Sequence, residues 1–509
     1  MPWFLRTESP FEPEVRQRQV CVLWARIPVL AVLLTALARN DLAAGRSDDG
    51  SVLQAGVAQR DITPERPVPM WGYGARRDRL SEGVHDRLRA GALVIEAAGE
   101  KTAVVALDLG RGPTPAMMRR IRALVSGRGI RSVLICGSHT HHGPVLELTD
   151  APERGQGKFD AAVDYARTLP ELIAAAILEA DDRRVPVRIG VGSRPLGWNR
   201  NRHSRRPQPP VDPKLTVLRV ERLDRSPLAI LVHFAAHPVL TPAETLQFSA
   251  DYPGFLRERI ERELQATCLF LQGAAGDLSA NPPGPGRDAR SFGERLAEQA
   301  LQITAEIEAE APQRPRIDAT IDRIRFPSRI QFQNPITFLL YSRAFFPELI
   351  RNFFDEFAAG MEAELTTVVI NRSIALVGVP GEPFCRHALR LRERANLPCV
   401  LVLGYCNGHL LYFPTIEAAA EGGYGADARV APVALGAGER LMDLALIRIF
   451  QSLGKLSPQE AIAPLEAPAN SSPSQERPAP QSQRPLPDPL PTHTPQAVSR
   501  QSGSPSPGR

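Results

Sequence analysis

The run Ser138-His139-Thr140-His141-His142-Gly143-Pro144 places three imidazoles within four positions. A His-x-His pair in a loop after a strand can turn both rings toward one centre, and Gly143 with Pro144 then turns the chain sharply. A second candidate, His237, stands in His233-Phe234-Ala235-Ala236-His237-Pro238, where Pro238 favours an extended conformation before it. His233, inside the apolar run itself, reads as a structural histidine. Glu382 follows Gly378-Val379-Pro380-Gly381, and Tyr412 follows the apolar run at 400–403. Two imidazoles, a carboxylate and an open position make a zinc site suited to hydrolysis, although the same donors also suit iron or nickel.

Two other stretches bear on such a site. Residues 272–282, Gln-Gly-Ala-Ala-Gly-Asp-Leu-Ser-Ala-Asn-Pro, leave a strand on small side chains, which lets the backbone approach a ligand closely. They lack the spacing and the lysine of a phosphate-binding loop, which excludes a nucleotide site of that kind. Trp198-Asn199-Arg200-Asn201-Arg202-His203 offers donors for a carbonyl or an anion, with a plain solvated turn as the competing reading.

These residues need elements to position them. Short β-branched runs bounded by Gly or Pro alternate with amphipathic stretches between about 50 and 454, which predicts an α/β fold of mixed or mostly parallel sheets with flanking helices. Strands are expected at 103–107, 133–136, 229–234, 269–271, 374–377 and 400–403. Helices are expected at 116–126, 161–180, 253–264, 289–309 and 438–452. His139, His237, Glu382 and Tyr412 each follow one of these strands, so parallel strands would bring all four to one edge, where α/β sheets bind ligands. Residues 326–360 crowd together much of the chain's phenylalanine. They read either as a core helix or as an apolar lid or membrane-facing helix admitting a lipid-like substrate.

Composition narrows the class. Apolar residues form 43% and charged residues 23% of 509 positions, close to globular averages. The net charge of +5 is spread among nearly as many acids as bases, which argues against nucleic-acid binding. Six cysteines, none in a Cys-x-x-Cys pair, make neither a disulfide framework nor a thiolate metal site. Arg16, Arg18 and Arg26 precede an apolar run at 27–37 that ends Ala36-Leu37-Ala38, the grammar of a signal peptide or N-terminal anchor over 1–38 and hence of an exported protein. Residues 455–509 hold 13 of the 48 prolines and read as a disordered Pro/Ser-rich tail.

Read in order, several motifs resemble the neutral/alkaline non-lysosomal ceramidase family, in a short bacterial form with the catalytic domain alone. They are the runs 56–64, Gly72-Tyr73-Gly74, Gly83-Val84-His85-Asp86, Leu107-Asp108-Leu109-Gly110, 138–144, 234–238 with Ser249-Ala250-Asp251, 273–281, Pro380-Gly381-Glu382 and 411–415. The resemblance implies zinc held by His139, His237, Glu382 and Tyr412. It places His141, Arg200 or Arg202, and Ser279 beside the substrate carbonyl. It also implies zinc-activated hydrolysis of an N-acyl sphingoid base, a ceramide, to a fatty acid and a free amine, with His141 or Tyr412 stabilising the oxyanion and moving protons. The catalytic set expected on this basis is His141, Arg200, Ser279 and Tyr412. His142 stands where the family usually has serine, adding a third imidazole near the metal, and Gly425 stands where an acid is common. Two rivals follow: a zinc hydrolase of another envelope amide or ester, and a non-catalytic lipid-binding module that keeps the fold.

Overall fold

Most of the apolar runs become strands buried on both faces, which is why they read as continuous rather than alternating. The computed structural model describes residues 52–148, 157–357 and 360–458. The expected signal segment and the tail beyond residue 458 lie outside them.

An eight-stranded sheet contains β1 (Gln54–Asp61), β2 (Arg89–Ala97), β3 (Glu100–Leu107), β4 (Ile130–Gly137), β5 (Val185–Pro195), β6 (Lys214–Arg222), β7 (Pro227–Phe234) and β8 (Thr267–Gln272). Their spatial order is β8-β7-β6-β5-β1-β2-β3-β4. A four-stranded sheet follows, with β9 (Ile317–Phe326), β10 (Met361–Ile370), β11 (Ile374–Gly378) and β12 (Cys399–Leu403) side by side. Of the two sheet types expected, the mixed one forms. Neighbours are antiparallel except for three pairs, β3–β4, β7–β8 and β11–β12. Those parallel pairs supply the strand ends that carry the candidate residues.

The larger sheet bends where β1 meets β5 over only two residue pairs, Gln54 with Pro186 and Ala55 with Val185. Its halves thereby share one central core with the smaller sheet: Leu93, Leu134, Leu231 and Leu271 from the first pack with Val368, Leu376 and Leu401 from the second. The alternate residues face helices. α1 (Pro115–Val125) and α2 (Asp160–Asp182) cover Val105, Val133 and Ile135. α3 (Tyr252–Leu264) and α4 (Ala289–Glu306) cover Val217, Val232 and Phe270. α7 (Cys385–Ala395) and α8 (Ala437–Ser452) cover Val369, Val377 and Val402. The helix expected over 289–309 stops at Glu306 because Ile307 turns extended and the Glu310 N–H then bonds the Ile189 carbonyl. Among the described residues no helix is long and apolar enough to cross a membrane.

The aromatic stretch divides into two helices of different burial. α6 (Pro347–Phe357) buries Leu349, Ile350 and Phe357, whereas α5 (Pro335–Ala344) buries no residue. The ion pair of Arg111 with Glu147 is wholly buried at 2.9 Å, and Arg111 reaches Glu356 of α6 at 3.5 Å, which ties that helix to the loop after β3. The four cysteines expected to act as small hydrophobes, Cys136, Cys268, Cys399 and Cys406, are all buried and unpaired.

His233 behaves as the structural histidine it resembled in sequence. Its Nε2 bonds the Val402 carbonyl at 3.2 Å, linking β7 to β12 across the core. Burial lowers its pKa from 6.5 to about 4, so the folded protein keeps it neutral while the unfolded chain takes up a proton below pH 6.5. Stability is therefore expected to fall as pH drops from 6.5 to 4, by about 3 kcal/mol from this group alone. Urea unfolding of wild type and His233→Gln across that range checks it. The stability difference between the two should shrink toward acid pH, and a difference independent of pH would contradict the assignment.

Candidate metal centre

Each candidate imidazole is aimed by a backbone carbonyl. His139 lies just beyond β4 in a left-handed conformation (φ 68°), unusual for a residue with a side chain, and its Nδ1 donates to the Gly110 carbonyl at 2.7 Å. His237 lies just beyond β7, and its Nδ1 donates to the Ala275 carbonyl at 2.7 Å. With Nδ1 protonated in both rings, the two Nε2 atoms carry lone pairs. They face each other at 3.1 Å. Glu382 completes a triangle, its Oε2 lying 3.4 Å from His139 Nε2 and 3.2 Å from His237 Nε2. His141 Nε2 lies 3.3 Å from His139 Nε2. All four side chains are largely buried.

These distances decide what the cluster suits. Ligands about 2.0–2.1 Å from a tetrahedral ion stand roughly 3.3 Å apart, which the three separations match. Lone pairs and a carboxylate oxygen packed this closely repel unless a cation lies among them. Burial pushes the Glu382 carboxyl up, while His139 and His237 beside it pull it well below the usual carboxylate range. Burial lowers the His237 pKa to about 3, reinforced by Arg202 and His139, and burial also holds His141 well below its ordinary value. His141 and His237 are therefore neutral, with the His237 Nε2 lone pair accepting from Arg202. The Arg202 guanidinium reaches His237 Nε2 at 2.8 Å and the Tyr412 hydroxyl at 3.0 Å. It leaves Glu382 Oε2 without a hydrogen-bond partner. The donor set thus fits a divalent ion such as zinc.

The chain motifs form the frame around this cluster. Glu382 and Tyr412 are direct partners in a short parallel pairing, so the phenol stands beside the carboxylate. Burial and that carboxylate raise the Tyr412 pKa well above 10, which keeps the phenol protonated. Asp86 accepts from Ser249 Oγ and from the Ala250 N–H, and Thr140 Oγ1 donates to the Ser249 carbonyl at 2.6 Å, locking the histidine loop to the 249–251 turn. The small residues of 272–282 do allow a close approach, but of protein rather than ligand: a side chain at Gly276 would meet the Glu382 carbonyl at 2.5 Å. Gly72, at φ +103°, leaves room for the His141 ring, which a Cβ there would meet at 2.5 Å.

Structure and sequence differ at two places. Arg200 is exposed in the short strand Asn199–Asn201, so it is not the arginine of the site. The period-two alternation turns Asn199 and Asn201 inward, where they bond Ala235, Asp277 and neighbouring carbonyls. Arg202, past the strand end with its N–H on the Asp277 carbonyl, supplies the guanidinium instead. His142 is not a third imidazole of the cluster. Its Nε2 accepts from Arg76 at 2.6 Å, away from His139. Ser279 is half-buried and adjoins His237 through a backbone bridge.

Sequence reasoning passed over Trp71, whose ring stands edge-on to those of His139, His141 and His409 at 5.1–5.5 Å, and Tyr405, whose ring stacks on His139 at 4.0 Å. It also passed over Arg76, buried beneath the loop, which donates to the carbonyls of Trp71, His141, Ala243 and Thr245. Only Gly72-Tyr73-Gly74 marked the neighbourhood of Trp71 and Arg76 in sequence.

The fold and the cluster together define a mixed α/β protein built around a candidate histidine–carboxylate metal centre. Residues 53–334 match the family described as neutral/alkaline non-lysosomal ceramidase, N-terminal, and the chain belongs to that family. It is 28% identical over 271 residues to neutral ceramidase A of Dictyostelium discoideum, covering 47% of this chain and 37% of that protein. It is 26% identical over 268 residues to neutral ceramidase of Mycobacterium tuberculosis, covering 46% and 41%. The matched segment therefore spans about two fifths of those relatives. A solved structure of neutral ceramidase from Pseudomonas aeruginosa superposes with a TM-score of 0.65 at 20% identity, over 82% of this chain and 77% of that one, and shows the shared fold.

Arg76 yields a test of the frame. Arg76→Met leaves four part-buried carbonyls and the His142 lone pair without their donor, and it is expected to cost about 3–5 kcal/mol in denaturant unfolding. A loss under about 1 kcal/mol would mean that the histidine loop is held elsewhere.

Proposed function

We propose that the chain hydrolyses a linear amide with a long apolar substituent, an N-acyl sphingoid base being the favoured substrate, at a zinc centre held by His139, His237 and Glu382. The observation that carries this reading is the triangle of two imidazole lone pairs and an ionised carboxylate, opening into an apolar cavity. That cavity is lined by Trp71, Tyr73, Phe345, Phe346, Phe353 and Phe354 as well as by His139, His141, Glu382 and Tyr412. A divalent ion there supplies Lewis-acid polarisation of the carbonyl and activation of water.

The side chains divide the remaining work. Tyr412, expected as a further ligand, and His141 stand beside the other three and would complete the surroundings of the ion. The Tyr412 phenol, kept protonated, donates to a developing oxyanion, and Arg202 adds positive charge beside it. His141, kept neutral, takes up a proton and returns it to the departing amine. The aromatic walls bind hydrocarbon and exclude water.

The route of entry follows from α5. Ile336, Leu339 and Leu340 are 68%, 52% and 57% exposed on a helix whose Tyr341 lines the same cavity. Such a helix suits insertion into a lipid surface, from which a lipid-like amide would enter. Export, the expectation from residues 1–38, would bring the chain to such a surface.

Two experiments test this reading. Purified protein is expected to hold about one zinc per chain and to cleave a ceramide in a chelator-sensitive manner, with His139→Ala losing both. Turnover of a water-soluble acyl amide alone would defeat the lipid substrate, and metal-free protein with no turnover would favour a lipid-binding module. Replacing Leu339 and Leu340 by serine is expected to weaken partition onto phospholipid vesicles about ten-fold or more. Unchanged partition would remove α5 from the membrane-facing role.

A further inference from the structure

His409 is the buried imidazole that, among the described residues, has neither ring nitrogen hydrogen-bonded. A buried polar group without a partner is costly, and a fold that retains one at a site calls for a reason. Its surroundings supply that reason. The ring lies 6.2 Å from that of Tyr405 at an interplanar angle of 19°, and it meets Trp71 edge-on at 5.5 Å. Nε2 points at Glu382, 3.7 Å from Oε1, the carboxylate oxygen that does not enter the triangle.

The backbone fixes this juxtaposition from both sides. The Leu410 N–H bonds the Pro380 carbonyl at 2.8 Å, the Glu382 N–H bonds the Leu411 carbonyl at 2.8 Å, and the Tyr405 N–H bonds the Gly381 carbonyl at 2.7 Å. Tyr405, Asn407 and Leu411 adopt left-handed conformations to make these bonds, so the loop carries strain in order to lie against Glu382. A neutral imidazole so placed has one N–H to give, and Glu382 Oε1 is the acceptor that faces it.

We propose that His409 is a positioning residue: its Nε2–H donates to Glu382 Oε1 and holds the carboxylate so that Oε2 faces the space between His139 and His237. This rests on the reading of the cluster as a metal centre and names a residue that acts on the ion only through its ligand. Partners of this kind orient metal-ligating groups, and their loss lowers metal affinity about 10- to 100-fold. A closing movement of under about 1 Å brings the present separation into hydrogen-bond range.

The test is titration of the metal-free protein with zinc in competition with a chromophoric chelator, using wild type, His409→Leu and His409→Gln, with thermal unfolding of each metal-free protein as the check on folding. His409→Leu is expected to bind zinc about 10- to 100-fold more weakly. His409→Gln, whose amide can donate from a similar position, is expected to recover most of that loss. In a Glu382→Ala background, His409→Leu should change the affinity less than about two-fold, because the group it acts through is gone. Equal affinity of wild type and His409→Leu, or equal weakness of the Leu and Gln variants, overturns the assignment. A Leu variant that loses its thermal transition moves the comparison to Gln against wild type, where a loss above ten-fold overturns it. Wild-type protein that binds no zinc removes the reading of the whole centre, and this assignment with it.

Discussion

Two imidazole lone pairs and a carboxylate oxygen, held within 3.1–3.4 Å of one another in the protein interior, set the constraint that the surrounding structure serves. Left to themselves these groups repel, and burial removes the water that would screen them. The fold holds them by fixing each donor from behind: carbonyls on the Nδ1 atoms of His139 and His237, and a parallel pairing beside Tyr412 for Glu382. Three parallel strand pairs within the two large, otherwise antiparallel sheets bring these loops to one place. The left-handed backbone at His139, Tyr405 and Leu411 is strain gathered at the same point.

Legibility in the sequence followed the physics of burial. Strands such as β4, β7 and β12, covered on both faces, stood out as unbroken apolar runs, whereas β9, with Asp318, Asp322, Arg323 and Arg325 on its length, did not. The candidate residues His139, His237, Glu382 and Tyr412 were legible because each lies beyond the end of such a run. Arg202 could not be told from Arg200, since the difference lies in where a three-residue strand ends. His142 looked like its neighbours, and only the buried Arg76 guanidinium explains why it turns away. Trp71, Tyr405 and His409 take their significance from tertiary packing, for which one sequence carries no periodic signal.

The aromatic segment connects the centre to its surroundings. α6 is anchored inward through Glu356 and Arg111, and α5 presents its leucines outward, so one stretch of chain joins a polar interior to an apolar exterior. Arg111 and Trp71 share Glu147, the Trp71 indole donating to the same carboxylate oxygen, Oε1, at 3.2 Å. The ring that stands against the histidines and the helix that borders the cavity therefore rest on one buried carboxylate. Family membership accounts for the order of the motifs, and the physical arrangement accounts for why those motifs recur around one cluster.

The central claim, that these donors enclose a metal ion, is tested most directly by anomalous diffraction at the zinc absorption edge from crystals of the purified protein. The account predicts a single strong peak about 2.0–2.2 Å from His139 Nε2, His237 Nε2 and Glu382 Oε2. A map without that peak, in which the Arg202 guanidinium fills the space between the imidazoles and Glu382, would contradict it.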